Sequence, residues 1–369
     1  MKRITKIIIW ILISLTLQSA VLLYFNNFRV NKKVTYKKID IPARKKSDMK
    51  VSIPSGAYNI KVSSTGKFVS YYLKNSIHVI EMDTGKDNSI NLEVPVADTS
   101  ISWRASDDKL MVIERKYSSI KVYTYSPKEN NMKRNLNMKN EAEAYPVGSS
   151  YRITGIEQNN KNTLIYLKVT QNGSGNYSLL KKLDISTGIK ELQLPIHNIG
   201  NYYIFKSENT IVFEDEVDKK VYMRSNNGYN QKLQVPQVTN SKLLGVDDNG
   251  MVYIGKLVNN KVSQVYTCNI STGNAEGTGG SNSEKKAHML NTFKGNWSTI
   301  SLKESIQPKN IYVSDTGGLY TIDSQKGVVS NVKTAKKYSF KGTYVCMFGD
   351  NSDGGIISLS DGKIIETMI

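Results

Sequence analysis

The side chains best suited to chemistry are few and scattered. The three histidines, His78, His197 and His288, lie far apart in a chain of 369 residues. With no His-Glu-x-x-His helix and no Cys-x-x-Cys pair beside them, they do not assemble a zinc site. His78 falls within a strand-like run and reads as a packed or edge residue. Cys268 and Cys346 are the only cysteines, each inside an apolar run. Two thiols do not make a disulfide framework, and they read as free, buried cysteines, with a single disulfide or a functional thiol as the alternatives. The sequence contains no Gly-x-Ser-x-Gly, which a nucleophile elbow requires. Gly277-x-Gly279 lacks the third glycine and the βαβ context of a dinucleotide site.

Carboxylates offer the remaining candidates. The stretch Asp350-Asn351-Ser352-Asp353-Gly354, followed by Asp361, places oxygen donors around a glycine turn. Calcium needs six or more oxygen ligands, however, and Gly354 stands where a carboxylate or amide is wanted, so a plain hairpin turn is expected. Asp107-Asp108, Glu214-Asp215-Glu216 and Asp247-Asp248 look like exposed turn residues. No catalytic, metal or cofactor-binding residue is assigned on these grounds, no cofactor is implied, and the chain is expected not to be an enzyme.

The elements that would position any site begin with the N-terminus. Residues 7–25 (IIIWILISLTLQSAVLLYF) carry no charge, and at helical rise they span about 28 Å, the hydrocarbon thickness of a bilayer. Lys2, Arg3 and Lys6 precede this run as the basic start of an export signal would. The run continues past Gln18-Ser19-Ala20, where a cleavable signal should stop, so residues 1–25 are expected to be an uncleaved transmembrane signal anchor. Residues 26–50, basic and polar with Pro42, read as a stalk.

The formal charge of +18 is concentrated here, because residues 1–50 hold twelve Lys or Arg against Asp40 and Asp48. That placement suits anionic lipid headgroups, worth about 1 kcal/mol per basic residue, better than a nucleic-acid groove. Arg29, Lys32, Lys33, Lys37 and Lys38 are the candidate membrane-surface residues. They also outnumber the basic residues before the apolar run, which favours a cytoplasmic C-terminus. Large domains translocate largely regardless of charge, so the main domain is expected outside the cytoplasm.

Beyond residue 50 no long helical periodicity occurs. Short runs of Val, Ile, Tyr and Thr alternate with Gly, Asn, Asp and Ser clusters, the pattern of hairpin-connected strands. IHVIEM (residues 77–82) ends in Asp83-Thr84-Gly85-Lys86. Residues 179–185 end in Ser186-Thr187-Gly188, residues 265–270 in Ser271-Thr272-Gly273, and residues 318–323 in Ser324-Gln325-Lys326-Gly327. Each is a strand, a tight glycine turn and another short strand. With weaker units near Pro127 and Gly228 the spacing averages roughly 45 residues, the length of a four-stranded propeller blade. The most irregular part is residues 271–293, where residues 283–290 are expected to form a short helix in an inserted loop.

IKVSSTGKFVSYYLKNSIHVIEMDTGK (residues 60–86) resembles the WD-like repeat of TolB-type propellers, with Thr65 where that family shows Asp. IYVSDTGGLYTIDSQKGVVSNV (residues 311–332) is similar to a YVTN-type blade. The resemblance implies an all-β fold over residues 51–369, a β-propeller of about seven blades with six or eight as alternatives. It carries almost nothing about function.

The resulting expectation is a membrane-anchored, non-enzymatic propeller that binds or scaffolds at the cell envelope. Residues 7–25 would engage the lipid bilayer, and the domain would engage another protein or an envelope polymer, not nucleic acid. The alternatives are an envelope sensor or assembly factor, and a propeller hydrolase or lyase with several carboxylates or histidines converging on the central channel.

Overall fold

The computed structural model describes residues 6, 10, 14–19, 50–104, 107–135, 144–159, 164–173, 177–184, 187–205, 210–225, 228–270, 291–349 and 354–369. The chain divides into two compact units, Met1–Arg44 and Lys45–Ile369. In the first, the described residues are helical and exposed, and Gln18 donates to Ser14 Oγ across one turn at 3.2 Å. Among the described residues no helix is long and apolar enough to cross a membrane. Most of residues 7–25, together with Arg29, Lys32, Lys33, Lys37 and Lys38, lie outside the described residues.

The second unit is a seven-bladed β-propeller. Its first strand, β1 (Lys50–Ser52), belongs to the last blade. Blade 1 is β2 (Tyr58–Val62), β3 (Phe68–Leu73), β4 (Ser76–Glu81) and β5 (Asp87–Ile90). Blade 2 is β6 (Thr99–Trp103), β7 (Leu110–Lys116) and β8 (Ser119–Ser126), with β9 (Asn131–Arg134) and β10 (Tyr145–Pro146) sharing the outer edge of β8. Blade 3 is β11 (Tyr151–Gln158), β12 (Leu164–Gln171), β13 (Ser178–Asp184) and β14 (Gly188–Glu191). Blade 4 is β15 (Ile199–Phe205), β16 (Thr210–Asp215), β17 (Lys220–Arg224) and β18 (Asn230–Leu233).

Blade 5 is β19 (Ser241–Val246), β20 (Met251–Val258) and β21 (Lys261–Asn269), completed by β23 (Ser298–Ile306). Between them β22 (Asn291–Phe293) runs parallel to β18 and adds a fifth strand to blade 4. The helix expected over residues 283–290 falls outside the described residues, and the end of that insertion is this strand. Blade 6 is β24 (Ile311–Val313), β25 (Leu319–Asp323), β26 (Val328–Asn331) and β27 (Lys337–Ser339). Blade 7 is β28 (Thr343–Phe348), β29 (Gly355–Ser360), β30 (Lys363–Met368) and, antiparallel to β30, the N-terminal β1.

There is no single core. Apolar side chains form seven clusters, one at each interface between neighbouring blades. Because successive residues of a strand face opposite ways, each second strand feeds two clusters at once. In β12, Ile165, Leu167 and Val169 pack towards blade 2, while Leu164 and Tyr166 pack towards blade 4. In β7, Leu110 and Val112 meet blade 1 and Met111 and Ile113 meet blade 3. This is why these strands read as unbroken apolar runs. Near the axis, the pairing of first to second strand shifts register in blades 1, 3, 4, 5 and 7. Such bulges increase local twist where the blades converge.

The last interface closes the ring: Val51 and Ile53, from the N-terminal strand and just after it, pack with Ile357 and Ile364 of blade 7 and with Val69, Tyr71 and Ile80 of blade 1. Val51 pairs directly with Ile364. Ile364→Ala is expected to destabilise the domain by about 2–5 kcal/mol. In a double-mutant cycle with Val51→Ala, read by denaturant unfolding, the two should couple by about 0.5–1 kcal/mol. Strictly additive losses would mean that β1 does not close the ring.

Candidate functional site

The first strands of the blades end around a cavity of about 320 Å³. Blade 1 contributes Val62, Ser63 and Ser64, and blade 2 contributes Ser102 and Trp103. Blade 3 adds Ile156, Glu157 and Gln158, blade 6 adds Tyr312 and Asp315, and blade 7 adds Met347, Phe348 and Gly349. These are positions at or just beyond the last residues of innermost strands, so the scaffold beneath each is a paired β-ladder rather than a free loop.

The aromatic walls are fixed by neighbours. The Trp103 indole N–H donates to the Lys61 carbonyl (3.2 Å) and to Ser70 Oγ (3.0 Å), and its ring stacks on Phe68 at 6.2 Å. The Tyr312 hydroxyl reaches the Gly349 carbonyl at 3.5 Å, bridging blades 6 and 7. Phe348 lies against the turn of blade 1 at Gly66, which has a φ of +73°; a Cβ there would overlap the ring, so glycine is needed on both counts. In the same turn Thr65 donates to Asp108 Oδ2 at 2.7 Å. A carboxylate of blade 2 thus reaches across to this turn of blade 1.

The polar wall is electrostatically mixed. Lys61 Nζ donates to the Ile101 carbonyl at 2.6 Å. Burial lowers its pKa, and the charge of Glu157 opposes that shift. Burial likewise pushes the Tyr202 and Tyr203 phenols up, with Glu157 adding to both. Glu157 therefore sits within electrostatic reach of blades 1 and 4. Gln158 is only 8% exposed, and neither atom of its amide has a hydrogen-bond partner among the described residues.

Several carboxylates expected to be exposed are buried. Glu214 and Asp215 lie in β16, and Asp108 and Asp247 are buried as well, whereas Asp107, Glu216 and Asp248 are exposed. Each buried group has a backbone or hydroxyl donor to satisfy, which is what the sequence pattern could not display. Glu214 accepts from the Asn201 and Leu243 N–H groups, both at 2.8 Å, and from Lys242 Nζ at 2.5 Å. Burial raises its pKa against these donors. Burial alone would raise Glu216 too, but Lys219 and Lys242 hold it at about 2. Asp215 caps the β16–β17 turn by accepting from Val217 N at 2.9 Å, and Asp247 accepts from Asn249 N, Met251 N and the Tyr253 hydroxyl.

His78 and His197 stay apart from the cavity. His78 lies in β4 with Nε2 3.1 Å from Ser76 Oγ and Nδ1 3.1 Å from Asp87 Oδ2, stacked on Tyr71. This has the order of a nucleophile, base and acid. The Ser76 hydroxyl also lies 3.2 Å from the Leu73 carbonyl, however, and its single proton cannot serve both. Tyr71 holds Asp87 at 2.6 Å. The group ties the β3–β4 hairpin to β5. His197 stacks on Tyr177, and His288 lies outside the described residues.

Among the described residues no group of three or more His, Cys, Asp or Glu could hold a metal ion. Residues 350–353 and Gly277 to Gly279 lie outside them, and Asp361 stands at the far end of β29 from Gly354. Both cysteines are free, Cys268 buried between blades 4 and 5 and Cys346 packed between blades 7 and 1.

No family model and no curated protein matches the chain. Solved structures do. Virginiamycin B lyase from Staphylococcus aureus superposes with a TM-score of 0.55 at 14% identity, over 88% of this chain and 99% of that one. An oligogalacturonate lyase in complex with manganese gives 0.55 at 10% identity, over 87% and 91%. The β-propeller domain of Myceliophteria thermophila Cps50 (Swd1) gives 0.52 at 10% identity, over 88% and 100%. At such identities the likeness is one of fold.

The lining residues were not legible as a motif because five blades supply two or three each. The signal available was positional: the residues just before each first turn of a repeat. Two outcomes follow from the buried groups. Lys242→Met, which leaves Glu214 without its cation, should cost about 3–5 kcal/mol in denaturant unfolding, and Glu214→Gln in the same chain should recover part of it. Burial pushes the Cys346 thiol up to about 12 and raises Cys268 also. Iodoacetamide at pH 8 should therefore leave both unmodified by mass spectrometry until the domain is unfolded.

Proposed function

We propose that this chain is a binding module, tethered to a membrane by residues 1–25 and presenting its propeller at the cell envelope. The observation that carries the reading is the axial cavity, a space walled by side chains held from five blades. Among the described residues the lining contains neither histidine nor cysteine, so recognition suits it better than nucleophilic chemistry. The natural occupant is a segment of another protein or of an envelope polymer. Arg29, Lys32, Lys33, Lys37 and Lys38 would hold the stalk at anionic headgroups.

A hydrolase or lyase with a central-channel site is the second reading, favoured by Glu157 and Asp315 lining the same cavity. Two of the similar folds belong to lyases.

With an epitope tag after Ile369, external protease should remove the tag from intact cells. Protection until lysis would place the domain in the cytoplasm and overturn the envelope assignment. A photoreactive residue in place of Ser102 should crosslink to its occupant in intact cells and lose that product in a Gln158→Leu chain; a product unchanged by Gln158→Leu would remove the axial cavity as the site.

A further inference from the structure

We infer that the end of the propeller opposite the cavity docks on an anionic bilayer surface; this goes beyond the binding reading above and takes from it only the membrane tether. In each antiparallel blade the start of the first strand and the turn between the second and third strands lie at one end, away from the first-strand ends that line the cavity. Among the described residues of the second unit, the large apolar side chains left exposed are Tyr58, Tyr117, Val217 and Val258. Tyr58 begins β2, Tyr117 and Val217 stand in the β7–β8 and β16–β17 turns, and Val258 ends β20. All four therefore fall at that one end. Apolar residues exposed singly need no explanation, but their segregation to one end does.

Tyr117 is the sharpest case. Its φ of +57° is one that a bulky side chain seldom takes, and asparagine or glycine would fill the turn without strain. At 84% exposure the ring gains little packing inside the domain to offset that strain, the pattern of a residue kept for a contact outside it. Lys116 Nζ lies 6.0 Å from the ring centroid, so this tip presents a ring and a cation together. Lys74, Lys261 and Lys363 are exposed at the corresponding turns of blades 1, 5 and 7. Of the acidic groups at these turns, Glu216 is held by Lys219 and Lys242 and Asp323 by Lys326, which leaves Asp218 and Asp361 against the exposed lysines. Lysine is depleted in the cores of protein–protein interfaces. Tyrosine rings and lysines suit the headgroup layer of a membrane, where the lysine stem is buried and its ammonium stays in water. Each basic residue near an anionic surface strengthens attachment about fivefold. The tether holds the domain beside the bilayer at high effective concentration, so a docking too weak to retain a free domain is sufficient here.

The test places a nitrobenzoxadiazole fluorophore in the full chain at Ser118→Cys, beside Tyr117, and in a control at Lys128→Cys, in the β8–β9 turn at the other end of the same blade. The unsubstituted chain, carried through the same labelling, sets the background from Cys268 and Cys346. Each chain is inserted into preformed vesicles of phosphatidylcholine and phosphatidylserine in equal parts. The label at 118 should shift to the blue and be shielded from acrylamide, a neutral quencher, while the label at 128 stays open. Lys116→Gln and Lys261→Gln should each lower the ratio of shielded to open label at 118 about fivefold. Tyr117→Ser should lower it too, and vesicles of phosphatidylcholine alone should abolish the shielding. A label at 118 that stays open, on a chain that resists a carbonate wash, would overturn the docking and leave the tether standing. Shielding on a chain that carbonate strips from the vesicles would support the docking and overturn the tether. Shielding that appears equally in detergent and grows with protein concentration would assign this face to a second copy of the chain and overturn the bilayer assignment. A chain that does not float with the vesicles at neutral pH would overturn both.

Discussion

The structure depends on a cyclic constraint. Each second strand buries both of its faces, one in each of two neighbouring cores, so no blade can satisfy its own apolar surface. Tyr71 and Tyr72 are adjacent in β3, yet one belongs to the interface with blade 7 and the other to the interface with blade 2. Burying such side chains is worth about 1.5–3 kcal/mol each, but only when the adjoining blade is present. A linear array would leave two raw faces. Closure by β1 on β30 removes them, which is why three residues at the start of the propeller matter to a blade whose other three strands come at the end of the sequence.

The same ring geometry explains the buried carboxylates. Bulges at the innermost strands leave backbone N–H groups without ladder partners, and a buried N–H must be paired. Asn201 falls in the register break of β15, and Leu243 borders the one in β19; Glu214 accepts from both. Arg115 works between blades 2 and 3, donating to the Tyr151 carbonyl at 2.7 Å and to Asp98 at 2.6 Å. Thr65 and Asp108 do so between blades 1 and 2. Apolar packing holds neighbouring blades together without direction, and these polar contacts fix their register against sliding.

What the sequence made legible follows from what is local. Glycine turns and flanking strands are written in contiguous residues, so the repeat, the all-β class and a count near seven could be read; the run over residues 77–82 falls on β4, one residue out of step at each end. Burial of Glu214, Asp215, Asp108 and Asp247 could not be read, because pairs of acidic residues look alike whether they cap a surface turn or meet a backbone donor from another blade. The partner of Thr65 could not be read either, because Asp108 lies 43 residues away and in another blade. The cavity was out of reach for the same reason: its residues are neighbours only after the ring closes.

This separation has a consequence for how such a protein can change. The cavity-lining residues sit at the ends of first strands, whereas the seven cores are built mainly by second and third strands. Glu157 and Gln158 contribute to none of the apolar clusters, and neither do Ser102 or Asp315. Substitution at these positions would change the lining of the cavity while leaving the apolar interface packing intact. Trp103 and Phe348 are different, since each also packs in an interface cluster. The aromatic walls are therefore tied to the packing between blades, whereas these polar positions lie outside the apolar clusters, so the shape of the cavity follows from folding and its polar lining can vary separately from that packing.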